Sequence, residues 1–433
     1  MQHSTQHYPV FIVGGGQAGL SVSYYCQQNN ISHLVAEKHR VMQAWKEKRW
    51  DSFTLVTPNW QCLLPGHPYQ GNDPHGFMKR DEIIEYLNAF EDKVQAPVLE
   101  QTAVTRIQHD GEMFRIETSN GSFSADQVVV ASGSYQTPII PRSAERLPNH
   151  IQQMHSEQYK NPGQLGNGAV LVVGSGQSGA QIAEDLHLAG KNVILAVGDA
   201  PRCARFYRGR DVVAWLTDMK YYDMPVHEHP LKEGVRDNTN HYVTGRDGGR
   251  DIDLRKFALE GMALYGKLVD CDGAHLRFAT NLAAVLDSAD KTYNGINERI
   301  DQFIAAKGID APPASRYTPV WQPPQERETL ALADANITDI IWCIGFTPDY
   351  HWLDLPVFNG RGYPTHQRGI TTFPGLYFIG LPWLYTWGSG RFSGIDQDAR
   401  YVVDVIARQL AQTGTTTMPP KVKMNPCIAA ALS

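Results

Sequence analysis

Twice in this 433-residue chain an apolar strand runs into a Gly-x-Gly-x-x-Gly turn, then a helix, then a second short strand. That order predicts an α/β fold with two Rossmann-like dinucleotide-binding domains. The first copy has a strand at 8–13, Gly14, Gly16 and Gly19 in the turn, a helix at 20–28, and a strand at 33–36 that ends in Glu37. The second has a strand at 169–173, Gly174, Gly176 and Gly179 in the turn, a helix at 180–188, and a strand at 192–197. Apolar runs at 122–133, 338–345 and 375–380 each close on a small-residue turn and read as further strands. A last amphipathic helix is expected from about 395 to 410. The first domain is therefore expected to be discontinuous, 1–165 plus 336–433. The second is inserted at 166–335, with extra segments in its later half.

Composition narrows the function. The chain is 42% hydrophobic and 19% charged, which excludes a disordered or fibrous protein. Lys plus Arg number 39 against 45 for Asp plus Glu, a net charge of −6, so nucleic acid is not an expected partner. Six cysteines lie far apart with no Cys-x-x-Cys pair, which reads as reduced thiols in a cytoplasmic protein. It also argues against a disulfide reductase that passes electrons through a dithiol. The first residues lack the order of a secretory signal. No apolar run is long enough for a membrane span; the stretch 375–387 is broken by Gly380 and Pro382. Sixteen histidines form no metal-ligand spacing, so no metal is expected.

The turns carry the chemistry. Gly14 permits a tight turn, Gly16 lets backbone approach a pyrophosphate, and Gly19 lets helix and strand pack closely. The helix N-terminus adds positive potential, and Glu37, eighteen residues after Gly19, suits the hydroxyls of an adenosine ribose. Gly174, Gly176 and Gly179 repeat the logic without an acid at the strand end. Arg202 and Arg205 follow there, and guanidinium groups suit a ribose 2′-phosphate, hence NADPH. Asp199 favours a 2′-hydroxyl instead, and a solvated basic loop is the plainer reading of both arginines. Two such sites imply electron transfer from a nicotinamide donor in the second to FAD in the first. The terminal helix, starting near Asp396, would aim its positive end at the flavin pyrimidine edge.

Other residues stay open between two readings. Asn59 either donates a hydrogen bond to a flavin adduct or serves a turn beside Pro58. Trp45, Trp50 and Trp60 read as core or cavity lining. His155, Ser156, Tyr159 and Lys160 form either a polar linker or a hinge touching the nicotinamide. Arg208, Arg210, Arg246, Arg250 and Arg255 suit an anionic substrate, or pair with Asp211, Asp247, Asp251 and Asp253.

The two glycine motifs, the linker His155-Ser-x-x-Tyr159-Lys160 and the late Cys343-Ile-Gly-Phe346 together resemble flavin-containing monooxygenases. That family includes plant auxin-forming enzymes and bacterial amine- and sulfide-oxidising enzymes. The runs RWDSFTLVTPNWQCLLPG, YRGRDVVAWL and LPWLYTWGSGRFSGI resemble a bacterial subgroup encoded near nitrilase-type enzymes. The resemblance implies FAD in the first site, NADPH in the second, and O2 as co-substrate. It implies oxygenation of a small molecule through a flavin C4a-hydroperoxide, with Asn59 as the family's flavin-side Asn. The family linker FxGxxxHxxxY is half matched: His155 and Tyr159 fit, while Asn149 and Ile151 replace the Phe and Gly. Tyr159-Lys160 stands where Baeyer–Villiger relatives have Trp-Pro, which speaks against that reaction. A flavin-dependent NAD(P)H oxidoreductase with a non-oxygen acceptor is the alternative enzyme, and a flavin-binding interaction protein without turnover the alternative of another class. A homo-oligomer is compatible with each.

Overall fold

The computed structural model describes residues 6–413. Its first sheet is built on the long strand Gly121–Val130, which runs parallel to Gln6–Val13 along one edge. Beyond Gln6–Val13 lie His33–Ala36 and then Val98–Leu99, all parallel. The other edge of Gly121–Val130 is shared. Its first half pairs antiparallel with Phe114–Thr118, and its second half pairs parallel with Leu376–Phe378. The late apolar run is thus a strand of the first sheet, as its pattern predicts. Val10, Ile12, Val129 and Tyr377 face the helices Gln17–Gln28 and Ile395–Thr413 in one buried core. Continuous apolar strands of this kind are what a parallel sheet covered on both faces requires.

The second sheet has five parallel strands in the order Gln152–His155, Ile337–Trp342, Ala169–Val173, Val193–Ala196, Ala263–Tyr265. The expected boundaries at 165 and 336 therefore need correction. Strands on either side of the 166–335 segment, 152–155 and 337–342, both pair into this sheet. Sheet membership depends on pairing across nearly two hundred residues of sequence, which no local pattern reports.

The stretch 202–332 adds strand Ala263–Tyr265 to the second sheet and packs its remaining elements around that domain. It holds helices Val212–Asp218 and Leu254–Leu259, the 26-residue helix Leu282–Lys307, and a three-stranded antiparallel sheet. Its arginines pair with acids: Arg208 with Asp301, Arg210 with Asp218, Arg246 with Asp185, Arg250 with Glu184, and Arg255 with Asp287 and Asp290. The ion-pair reading holds for these five, mostly with acids other than those expected.

This stretch also ties the two sheets' domains together. The Asp185 carboxylate accepts from Ser52 Oγ (2.6 Å), Tyr159 Oη (2.6 Å) and Arg246 Nη1 (2.6 Å). A Cβ on Gly245 would lie 2.0 Å from the Leu55 carbonyl oxygen, so backbone packs directly on backbone there. No helix among the described residues is long and apolar enough to cross a membrane.

Candidate active site

The first glycine turn is close-packed on one side and open on the other. Gly14 has φ +108°, and a Cβ there would meet the Ala131 carbonyl oxygen at 2.7 Å. A Cβ on Gly19 would meet the Gly14 carbonyl oxygen at 1.9 Å. Gly16, by contrast, has nothing within 4 Å of a Cβ position. Backbone N–H groups at the start of helix Gln17–Gln28 face that open side, and no side chain caps them. The Glu37 carboxylate is fixed beside the turn by the Gly15 N–H (2.7 Å) and the His39 N–H (2.8 Å). An open anion-accepting helix start with an acid at the neighbouring strand end fits an adenine dinucleotide.

The second turn repeats this geometry. Gly174 has φ +97° with a Cβ position 2.7 Å from the Cys343 carbonyl oxygen, and a Cβ on Gly179 would sit 1.9 Å from that of Gly174. Only the Thr239 methyl, at 3.4 Å, approaches the Cβ position of Gly176. Ser175 Oγ accepts from the Gly198 N–H (3.0 Å) and donates to the Gly198 carbonyl oxygen (3.2 Å). The strand end is thereby tied to the turn, and exposed Asp199 follows at once.

The two arginines expected to read a 2′-phosphate do not face this site. Arg202 is buried between Tyr293 and Tyr317, with its Cζ 4.5 and 3.9 Å from their ring centres, and its Nε pairs with Asp290 at 2.8 Å. Arg205 is buried too; Nη2 pairs with Asp211 (2.5 Å) and Nη1 donates to the Val56 carbonyl oxygen (2.6 Å). Their charges are spent on holding the 202–332 stretch in place. Arg202→Ala is accordingly expected to leave the ratio of NADPH to NADH affinity unchanged. It should lower stability by about 1.5–3 kcal/mol, because Asp290 loses one buried partner and keeps Arg255. Parallel nucleotide titrations and denaturant unfolding check this.

Asn59 also falls elsewhere. Its amide nitrogen donates to the Asp73 carbonyl oxygen (2.9 Å) and its oxygen accepts the Met78 N–H (2.7 Å). These two bonds pin the 73–78 loop, as turn chemistry beside Pro58 would, and engage one of the two amide N–H donors. Asp396 does stand in the first turn of the terminal helix, but its carboxylate accepts from Tyr25 Oη (2.5 Å) and lies 3.8 Å from Arg400. It turns toward the first helix. His155, the last residue of strand Gln152–His155, and Tyr159 are buried; His155 Nε2 lies 3.1 Å from the Gly345 carbonyl oxygen and Tyr159 Oη donates to Asp185 (2.6 Å).

Residues the motifs did not reveal complete the site. Gln17, next to the open Gly16, donates to the Gly390 carbonyl oxygen (3.0 Å) and accepts from Trp45 Nε1 (2.7 Å). Trp45 stacks obliquely on Phe392 at 5.0 Å and edge-on to Phe53 at 6.2 Å, which makes it lining, as read. The loop 385–394 is therefore seated on the first turn.

Asp398 anchors that loop from below. Burial pushes its carboxyl up to about 6, against the opposing Ser389 hydrogen bond and Arg368 charge. Arg368 itself is sandwiched by Tyr385 (4.0 Å) and Tyr401 (4.2 Å). Between pH 4 and 6 the folded state keeps a proton the unfolded state has lost, so stability falls as pH rises through this window. Asp398→Asn has no such titration. Its stability relative to the native protein should rise by up to about 3 kcal/mol from pH 4 to pH 6 and then stay level. Unfolding curves across that range check it.

Residues 11–239 match the pyridine nucleotide-disulphide oxidoreductase family, more than half of the chain. The chain belongs to this family. The uncharacterized oxidoreductase CzcO-like of Geobacillus kaustophilus is 32% identical over 415 residues, covering 94% of this chain and 99% of that protein. An indole-3-pyruvate monooxygenase of Oryza sativa, YUCCA4, is 28% identical over 193 residues, 40% of this chain and 44% of its own length. Among solved structures, a flavin-containing monooxygenase from Stenotrophomonas maltophilia superposes with a TM-score of 0.63 at 20% identity, covering 94% of this chain and 99% of that one. A bacillithiol disulfide reductase from Staphylococcus aureus shares the fold at 0.58 and 13% identity, covering 94% of this chain and 99% of that one. The chain is thus a member of an oxidoreductase family, and it shares the fold of flavin-containing monooxygenases and disulfide reductases.

Proposed function

We propose that the protein is an NAD(P)H- and O2-dependent flavoprotein monooxygenase acting on a small molecule. The observation that carries this reading is the convergence of the two glycine turns on one seam. Gly390 is bonded to Gln17 beside the first turn, and the next residue, Arg391, bonds Asn240 beside Thr239 at the second. A flavin held at the first turn would take electrons from the nicotinamide and activate oxygen.

The chain's own residues position and shield that chemistry. The open helix start at Gly16 and Gln17 would hold a pyrophosphate, and Glu37 would hold the ribose. Trp45, Phe53, Trp50 and Phe392 pack ring against ring beside the first turn, an apolar surround that suits oxygen transfer. The cysteines support oxygenation over dithiol exchange. All five described thiols are free, and burial raises those of Cys26, Cys62, Cys203 and Cys343 away from the reactive thiolate. Free thiols of this sort also fit the cytoplasm.

The 2′-phosphate of NADPH finds no reader in Arg202 or Arg205, and exposed Asp199 suits a ribose 2′-hydroxyl. On this geometry NADH serves at least as well as NADPH. The test is turnover under 18O2 with a panel of small sulfides, amines and carboxylates. Label in the product, with little peroxide released, supports the reading. Stoichiometric peroxide with every compound overturns it in favour of an oxidoreductase with another acceptor.

A further inference from the structure

The arginines of the 202–332 stretch named above are neutralised by carboxylates. Two guanidinium groups at the seam are not. Among the described residues no Asp or Glu pairs with Arg391 or Arg49. Arg391 donates to the Trp387 carbonyl oxygen and to Asn240 Oδ1 (2.9 Å), and its Cζ lies 4.0 Å from the Trp387 ring centre. Arg49 lies 4.7 Å over Trp45 and 5.4 Å from Phe53, and donates to the Lys48 carbonyl oxygen (3.3 Å). The acid nearest in influence, Glu157, is taken by Lys48 at 2.8 Å. Burial draws the pKa of both guanidinium groups down, yet they remain charged.

What faces Arg391 is aromatic and phenolic. Trp387, on which its guanidinium stacks, packs on Tyr222 at 4.3 Å, and Tyr221 lies edge-on to Tyr222 at 5.5 Å. Tyr135, on the same side, is 64% exposed and packs edge-on to Phe346 at 5.6 Å. Both guanidinium groups are half-buried and lack a counter-charge, and an incoming oxyanion can supply one through charge-assisted hydrogen bonds. The walls suit a flat or apolar body, and the guanidinium suits a bidentate oxyanion.

We propose that Arg391, assisted by Arg49, binds the carboxylate of a small aromatic or apolar substrate at the seam of the two turns. This rests on the oxygenase reading of the same site and adds the substrate class to it. The phosphates of the dinucleotides are the competing oxyanions. Each glycine turn already offers them a helix start, which leaves Arg391 for the substrate.

The test needs no turnover. Flavin-loaded protein is titrated with phenylacetate, 2-naphthoate and hexanoate, and with the neutral phenylacetamide and the cationic phenethylamine. Binding is followed by calorimetry and by the flavin absorbance spectrum. At least one carboxylate should bind, and phenylacetamide and phenethylamine should bind about tenfold or more weakly than phenylacetate. Arg391→Gln should weaken the carboxylate by about ten- to a hundredfold and Arg391→Lys by less, in both cases by more than NADH or NADPH is weakened. Equal binding of phenylacetate and its amide, or no binding of any carboxylate at millimolar concentration, overturns the proposal. So does Arg391→Gln weakening the nucleotides while sparing the carboxylate. If that variant does not hold flavin, the comparison of the probes on native protein decides. Because only binding is read, a failure of oxygen transfer and a failure of carboxylate recognition give separate signatures.

Discussion

Gly19→Ala is expected to give a protein that purifies without flavin. The added methyl would stand 1.9 Å from the Gly14 carbonyl oxygen, and the nearest atoms are backbone rather than a side-chain tip. Helix Gln17–Gln28 must then move off the strand that ends at Val13. The N–H groups at Gly16 and Gln17 move with it, away from the place where a pyrophosphate has to sit. Strain of this kind costs about 1–3 kcal/mol or more, and it falls on the binding geometry itself. We expect FAD affinity to fall by about ten- to a hundredfold. Absorbance of the purified variant, followed by FAD titration, measures this. A yellow variant that retains native affinity contradicts the placement of FAD at this turn.

Gly179→Ala should separate the second site from the first. The same 1.9 Å contact arises with Gly174, and the Cys343 Cβ lies at 3.1 Å. The damage is confined to the second turn, so this variant should stay yellow and be reduced normally by dithionite. Reduction by NADH or NADPH should slow by about ten- to a hundredfold, through lost nucleotide affinity. Rapid mixing over a range of nucleotide concentrations checks it. Loss of flavin from Gly179→Ala, with intact folding, would mean that the two turns do not divide the cofactors as argued.

Both glycine turns were legible because their requirement is local. A left-handed φ at Gly14 and Gly174 and a close helix approach at Gly19 and Gly179 act within six residues of sequence. Glu37 was legible for a similar reason, since strand length fixes where it emerges. Arg202 and Arg205 were not. Their position after the strand suggested a phosphate, but Asp290 on the long helix and Val56 in the other domain decide where they point. Asn59 is alike: Asp73 and Met78, both beyond the next hairpin, take its amide. The seam was least legible of all. Gln17 meets Gly390 across 373 residues, and neither neighbourhood announces the other.

The central claim is that nicotinamide and flavin meet at one seam and pass electrons there. Anaerobic rapid mixing of the flavin-loaded protein with NADH, and separately with NADPH, tests it most directly. The account predicts that the oxidised flavin spectrum bleaches with both, that NADH is at least as effective as NADPH, and that oxygen restores the colour. A flavin spectrum that stays oxidised with both nucleotides, although calorimetry shows them bound, would contradict it.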